Sequence, residues 1–287
     1  GAPALGVLLW CGESECQCPL LPLLFPPHAC ALSVSVSLCL SVTMSAQAAA
    51  EAAEGSGDKW IPLESNPDVM NEYVQRLGMK GGPFSFVDVF ATDEESLTFV
   101  PQPVISLLVL FPVTEVSEKA DEQDVVRIEE TGQKLSESLW YTKQTIGNAC
   151  GTIGLLHAIF NNTDKVVLEK DSWLQRFYQK TIPMTPEDRA VALESENELE
   201  TAHGESAAVG DTAPPSEGEE CTLHFVALVA KDGDLYELDG RKPFPINHGP
   251  TTEESFLKDS VKIFTDKFIA RDPEESQFSI VALAKSE

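Results

Sequence analysis

The chain has 287 residues, of which 43% are hydrophobic and 23% charged, a balance that excludes disorder throughout and suffices for one large domain or two small ones. Twenty Lys and Arg residues oppose 46 Asp and Glu residues. The resulting formal net charge of -26 argues against nucleic-acid and anionic-membrane partners, and leaves open either a basic partner or a purely solubilising role.

Residues 1–43 differ from the rest of the chain. They contain no Lys or Arg, so they lack the basic start of a secretory signal, and their prolines leave no unbroken apolar run long enough for a bilayer. Cys16, Cys18 and His28 lack the second ligand pair that a zinc site needs. Because Met44 opens a plausible N-terminus, we interpret residues 1–43 as a disordered leader of non-native or untranslated type.

Residues 44–58 are rich in Ala and Glu and are predicted to form a flexible tail. Residues 59–287 are predicted to form one domain, which carries the acidity of the chain. This domain contains two cysteines, Cys150 and Cys221, which is too few for a disulfide scaffold and suits a reducing compartment.

The first elements of the domain follow from periodicity. A helix begins at Asn66-Pro67 and stops at Gly78, and a strand covers residues 84–90. Residues 104–111 are almost wholly apolar, which predicts a strand buried on both faces at the centre of a sheet. Residues 114–138 are polar and charged, as in a surface connection or an exposed helix.

The middle of the chain turns apolar and then strongly acidic. Within the apolar stretch 140–160, positions from Ile146 to Ile159 predict a helix buried in the core, with Cys150 near its start. Thr185-Pro186 predicts a capped helix that runs to about Leu199. Residues 201–220 contain no large apolar anchor, so they are predicted to form a mobile loop, such as a lid.

The last third predicts a hairpin, a helix and a strand. Two strands, residues 222–230 and 235–239, flank a Lys-Asp-Gly-Asp turn. Residues 251–254 offer a capping box for a helix, and residues 278–284 form a last strand. This mixed order predicts a single α/β or α+β domain of about 230 residues. No motif calls for a metal ion or a cofactor.

Cys150 is the first candidate for chemistry. A thiol at the first residue of a helix lies near unpaired backbone N–H groups, which lower its pKa and can stabilise an oxyanion. The small residues Gly147, Ala149 and Gly151 would let a substrate backbone approach. The alternative is a buried, inert cysteine in an apolar helix.

A nucleophilic cysteine needs a base. His157 lies seven residues along the same helix, about 10 Å away at 1.5 Å per residue, so it is predicted to be a packed core histidine. His28 lies in the leader and His203 in the predicted loop. His224 and His248 therefore remain as candidates.

The hairpin supplies a partner for His224. If Asp232 and Gly233 are the turn residues, Lys231 pairs with Asp234, and His224 and Asp239 become diagonal neighbours on one face. A carboxylate there can orient an imidazole. A register slip of one residue would place the two side chains on opposite faces.

Three separated blocks, residues 143–157, 223–229 and 235–249, resemble the ubiquitin C-terminal hydrolases, a family of papain-related cysteine proteases. The similarity runs from about residue 60 to 284 and is closest to the short isozymes of the L3 type. The resemblance implies an α+β papain-like fold with a mainly antiparallel sheet flanked by helices, a knotted chain, and an active-site crossover loop at residues 201–220.

The resemblance also implies roles for individual residues. Cys150 is the nucleophile, His224 the general base and acid, Asp239 the orienting carboxylate and Gln144 the oxyanion donor. The N-terminal segment that contacts substrate in this family corresponds to Pro62, Leu63, Glu64, Ser65, Asn66 and Pro67.

The implied function is a deubiquitinating thiol hydrolase that removes small adducts or short peptides from the C-terminal glycine of ubiquitin, through an acyl-enzyme. The alternatives are a Nedd8-directed hydrolase, a ubiquitin-binding protein with little turnover, or a redox role for Cys150. We expect a monomer without cofactors, located in the cytoplasm or also in the nucleus.

Overall fold

The computed structural model describes residues 60–80, 82–211 and 221–286. The predicted leader and tail lie outside the described residues. So does the stretch 212–220, which is the second part of the predicted crossover loop.

In the described part of the chain, six strands form one sheet in the order β1-β6-β2-β3-β4-β5, and every neighbouring pair is antiparallel. The predicted central strand is confirmed, because β2 lies between β6 and β3 and is buried at all but one of its nine residues. The strands are β1 Phe84–Asp88, β2 Val104–Pro112, β3 Leu223–Lys231, β4 Asp234–Leu238, β5 Ile246–Pro250 and β6 Ser279–Lys285.

Helices cover both faces of this sheet. The predicted surface segment 114–138 contains one long exposed helix, α3, which starts where the Thr114 hydroxyl accepts the Ser117 N–H. Among the described residues, none of the helices combines the length and the apolar character that a bilayer span requires. The helices are α1 Pro67–Leu77, α2 Glu94–Leu97, α3 Glu115–Thr131, α4 Cys150–Phe160, α5 Trp173–Thr181, α6 Pro186–Glu194, α7 Asn197–Ala207 and α8 Phe256–Ile263, which continues as a π-helix over Phe264–Ile269.

The alternation of β2 side chains divides the core into two layers. Leu108 joins a cluster with residues of α1, α4 and α5, whereas its neighbour Leu107 joins a cluster with α8 and the π-helix on the other face. Helix α4 is buried along its whole length and packs on β2 and β3. Its Gly154 allows this close approach, since a Cβ there would lie 3.3 Å from Leu108.

The hairpin prediction is confirmed. Asp232 and Gly233 have φ angles of 50° and 86°, the left-handed pair that a type I′ turn requires. Lys231 pairs with Asp234, and the same register continues to Ala227 opposite Leu238. The predicted register of the two strands is therefore the observed one.

Two predictions about the region after Thr185 are wrong. The helix ends at Glu194 and not near Leu199, and a second helix, α7, begins at Asn197. Residues 201–207 are helical and not part of a mobile loop. Helix α7 packs on α1, and its buried face includes His203. The prediction failed because it searched for a large apolar anchor, whereas a hydrogen-bonded histidine fills that place.

The predicted capping box at residues 251–254 is also displaced. The N-cap of α8 is Ser255, and the helix starts at Phe256. The reciprocal hydrogen bonds join Thr252 and Ser255, each of whose backbone N–H groups donates to the hydroxyl of the other. A serine therefore takes the position that the pattern assigned to a glutamate.

Candidate active site

Cys150 is the first residue of α4, as predicted, and it is 7% exposed. No side chain caps this end of the helix. The imidazole of His224 and the backbone N–H groups of Phe225 and Gly151 lower the pKa of this thiol. The helix start thus presents a thiol to strand β3, with backbone donors around the sulfur.

His224 lies near the start of β3 and is buried between the thiol and a carboxylate. Its Nε2 lies 2.7 Å from Oδ1 of Asp239, the residue that follows β4. The same carboxylate oxygen accepts the backbone N–H of Arg241 at 2.9 Å, and the ring of Phe111 meets the imidazole edge to face. The hairpin register therefore brings His224 and Asp239 into contact.

Electrostatic interactions favour the charged forms of Cys150, His224 and Asp239. Burial by itself would raise the pKa of the Cys150 thiol, but the hydrogen bond and the charge of His224 outweigh burial and lower it. Burial would lower the pKa of His224, yet Asp239 and the thiol raise it to about 9. The pKa of Asp239 is lowered, mainly by the charge of His224 against the effect of burial. These interactions keep the imidazole protonated at neutral pH and stabilise the thiolate and the carboxylate relative to their protonated forms.

These shifts predict how the thiol reacts with pH. In the wild-type chain, alkylation of Cys150 by iodoacetamide should reach half its maximal rate below the pH of an ordinary thiol, about 8.5. In His224→Gln the midpoint should move above that value, because burial then acts without an opposing charge. The rate of alkylation, followed by mass spectrometry from pH 4 to 10, measures both midpoints. Equal midpoints in the two proteins would contradict the ion pair.

Gln144 lies in the loop before α4, against the residue that follows Asp239. Its backbone N–H donates to Gly240 O at 2.9 Å, and a Cβ on Gly240 would lie 2.8 Å from that of Gln144. Its Nε2 donates to Ile146 O at 3.2 Å. Its buried Oε1 has no hydrogen-bond partner among the described residues. The loop before Cys150 is thus packed directly on the hairpin that carries His224 and Asp239.

The other described histidines have different surroundings. His157 is a packed core histidine, as predicted: its Nε2 accepts the Thr142 N–H, and burial lowers its pKa to about 4. His248 is hydrogen-bonded to Glu237 at 2.9 Å. His203 is buried on α7 and not in a mobile loop. His224 is the histidine whose imidazole lowers the pKa of the Cys150 thiol.

A buried charge cluster behind the hairpin was not predicted. The Glu237 carboxylate, which is fully buried, contacts Nζ of Lys242 at 2.6 Å and Nζ of Lys267 at 2.7 Å. Lys242 also contacts Asp121 of α3 at 2.9 Å, and its charge contributes to the lowered pKa of Asp239. The position of Glu237 between two apolar strand residues was the one signal in the sequence. The cluster holds the turn after Asp239 against α3 and the π-helix.

The segment Pro62–Pro67 lies beside the start of α4. Leu63 is buried, and its Cβ would be 2.9 Å from a Cβ on Gly151, the residue after the thiol. Ser65 is hydrogen-bonded to Ser279, and Asn66 caps α1 by accepting the Asp68 N–H. The other members, Pro62, Glu64 and Pro67, remain partly exposed.

The site combines a thiol at a helix start with an imidazole and a carboxylate on an adjacent antiparallel hairpin, and the helix packs on the sheet. Together these features define a papain-like cysteine hydrolase. Comparison with known proteins specifies the family. Residues 60–270 match the family model described as ubiquitin carboxyl-terminal hydrolase, family 1. The chain belongs to this family, which confirms the predicted resemblance and the cysteine-type hydrolase class.

Characterised relatives cover the same region. The chain is 47% identical over 221 residues to a ubiquitin carboxyl-terminal hydrolase of Aplysia californica, which is 76% of this chain and 99% of that protein. It is 42% identical over 225 residues to isozyme L1 of Homo sapiens, which is 78% of this chain and 98% of that protein.

A solved structure shares the fold. It is the Trichinella spiralis UCH37 catalytic domain bound to ubiquitin vinyl methyl ester, which superposes with a TM-score of 0.66 at 19% identity, over 82% of this chain and 100% of that one. The predicted α+β fold, with an antiparallel sheet flanked by helices, is confirmed.

Proposed function

We propose that the chain is a deubiquitinating thiol hydrolase in which Cys150, His224, Asp239 and Gln144 do the chemistry at the C-terminal glycine of ubiquitin. The observation that carries the proposal is the buried contact of His224 with Asp239, in a position from which the imidazole lowers the pKa of the Cys150 thiol. The extent of the similarity to named ubiquitin hydrolases, up to 99% of their length, supports ubiquitin as the substrate.

In the proposed mechanism the Cys150 thiolate attacks the glycine carbonyl and forms a tetrahedral oxyanion. The Cys150 backbone N–H and the Gln144 side-chain amide stabilise this oxyanion. His224 then protonates the leaving amine, the carbon–nitrogen bond breaks, and an acyl-enzyme remains. A water molecule, deprotonated by His224, hydrolyses the thioester and restores the thiol. Asp239 holds the imidazole in the orientation that both proton transfers require.

Two segments of the chain are proposed to bind the substrate. The first is the segment Pro62–Pro67, which packs on Gly151 and keeps several side chains accessible. The second is the crossover segment 201–220, of which the part through residue 207 is helical and carries Glu205 on its exposed face. The net charge of -26 supports a basic substrate tail and an association rate that falls with salt.

Substrate choice separates this proposal from its alternatives. The chain should hydrolyse a fluorogenic C-terminal amide of ubiquitin with a higher kcat/KM than the corresponding amide of Nedd8. A higher value for the Nedd8 amide would assign the chain to that modifier. Stoichiometric binding of ubiquitin without turnover would instead identify a binding protein. Amides of ubiquitin with longer peptides at the leaving position would then test the proposed preference for small adducts.

We further propose a monomer in the cytoplasm, or also in the nucleus. Both cysteines in the described residues, Cys150 and Cys221, are free thiols, which suits a reducing compartment. Light scattering on the purified chain and imaging of the tagged protein in cells test the two parts of this proposal.

A further inference from the structure

Trp60, the first described residue, is hydrogen-bonded to the loop that precedes Cys150. The Trp60 N–H donates to Gly147 O at 2.9 Å. In return, the side-chain amide of Asn148 donates to Trp60 O at 3.0 Å. Two hydrogen bonds thus join Trp60, two residues before the proposed substrate segment, to the loop that carries Gln144.

Asn148 stands in an unusual backbone conformation for this contact. Its φ angle is 61°, in the left-handed region that asparagine tolerates better than most residues other than glycine. This conformation turns the loop two residues before the thiol. The contact with Trp60 O is the hydrogen bond that its side chain donates in the described structure.

His203 connects the stretch before the substrate segment, at Ile61, to helix α4. Its Nε2 lies 2.6 Å from Ile61 O, and its Nδ1 lies 2.8 Å from the hydroxyl of Thr152, two residues after Cys150. The Tyr73 hydroxyl lies 3.0 Å from the same Thr152 hydroxyl, and the Trp60 ring lies against His203 in a tilted arrangement, with centroids 4.4 Å apart.

The partners define the tautomer of His203. A carbonyl oxygen only accepts, so Nε2 carries the proton and donates to Ile61 O. Nδ1 therefore accepts from the Thr152 hydroxyl, whose oxygen accepts in turn from Tyr73. Each polar atom in this buried series of hydrogen bonds has a partner. The hydrogen bonds join α1, α4, α7 and the backbone of Ile61 in one network.

Leu63 adds an apolar contact to these polar ones. It is buried against Gly151 and Phe225, which flank the thiol and His224 in the sequence. The stretch Trp60–Leu63 therefore contacts the loop before Cys150, the first turn of α4 and the strand of His224.

We propose that Asn148 and His203 are positioning residues that couple the substrate-binding segment to the oxyanion loop, residues 144–149. A substrate that contacts the partly exposed side chains of residues 62–67 then also fixes the oxyanion loop, through Trp60 and Ile61. The proposal rests on the proposed function and deepens it. Binding energy gained at the segment is used to hold the Gln144 amide and the Cys150 N–H where the oxyanion forms.

Asn148→Gly tests the first anchor, because glycine accepts the φ angle of 61° but cannot donate to Trp60 O. We expect kcat on the ubiquitin amide to fall about 10- to 100-fold with little change in KM, the size of effect that a slightly misplaced catalytic group produces. Asp171→Gly is the matched control, since Asp171 has a φ of 60° at an exposed position outside the site. Its kcat should stay at the wild-type value.

Thr152→Val tests the second anchor, because valine keeps the size of threonine but removes the hydroxyl that His203 contacts. We expect the same selective loss of kcat. The rates are expressed per folded protein, as measured by circular dichroism, so that unfolded protein does not count. The alkylation rate of Cys150 should stay close to that of the wild type, since the contact with His224 is unchanged.

Wild-type kcat in both Asn148→Gly and Thr152→Val would overturn the inference while leaving the proposed function intact. Equal loss in Asp171→Gly would also overturn it, since the effect would then come from glycine in general. Absence of ubiquitin amide hydrolysis by the wild-type chain would instead overturn the proposed function, and the coupling with it.

Discussion

Replacement of Cys150 by alanine is expected to abolish hydrolysis of the ubiquitin amide, with a loss of kcat on the order of 10⁶-fold, the scale reported when a nucleophile is deleted from a preorganised triad. Alanine cannot form the acyl-enzyme, and the other described thiol, Cys221, donates to Leu223 O. Steady-state rates with the fluorogenic amide measure the loss. The fold should persist, because only the sulfur is removed from a buried, closely packed site.

Cys221→Ala is the matched control for that experiment. Cys221 is half-buried, its Sγ contacts Leu223 O, and its pKa is raised, mainly by burial. Its removal should leave kcat unchanged. Cys150→Ala should still bind ubiquitin, as seen by anisotropy of a labelled ubiquitin, because the proposed binding surfaces are intact. Substantial turnover by Cys150→Ala would refute the proposed nucleophile, whereas loss of activity in Cys221→Ala would point to that thiol.

Asp239→Asn is expected to reduce kcat by roughly 10²- to 10⁴-fold, as in other hydrolases in which an amide replaces the orienting carboxylate. Asp239 Oδ1 accepts from both His224 and the Arg241 N–H, and an amide nitrogen cannot replace that oxygen. The charge of Asp239 also contributes most to raising the pKa of His224 to about 9. The descending limb of the activity profile should therefore move to lower pH, because the imidazolium loses its proton more easily.

The pH profile of kcat from pH 5 to 10 measures that shift, and circular dichroism verifies that the variant is folded. Asp164→Asn, at an exposed position away from the site, is the control and should show the wild-type profile. An Asp239→Asn variant with wild-type kcat, or with its alkaline limb unmoved, would show that the carboxylate neither orients the imidazole nor sets its pKa.

Short-range patterns predicted the central features of the site. The apolar run 104–111 identified the central strand, and the Asp232-Gly233 turn defined the register that places His224 beside Asp239. The apolar spacing around Cys150 predicted a buried helix with the thiol near its start. Each of these depends on residues close together in the sequence, so local periodicity and turn chemistry suffice.

Predictions that required knowledge of distant partners failed. His203 was assigned to a loop because its neighbours in the sequence are polar and small, yet it is buried by Trp60, Tyr73 and Thr152. Glu237 was treated as an ordinary strand residue, although Lys242 and Lys267 neutralise it in the interior. In both cases a polar side chain is buried because partners from other elements satisfy it.

The sequence by itself determined the sheet centre, the hairpin register and the thiol at the start of a buried helix, because these follow from apolar periodicity and from backbone preferences of a few adjacent residues. Its three motif blocks also identified the family. Only the tertiary structure decided that residues 201–207 are helical, that Trp60 and Ile61 bond to Asn148 and His203, and that buried charges support Asp239. Those contacts join segments up to 142 residues apart, and their energy depends on desolvation and hydrogen-bond geometry that a linear pattern does not contain.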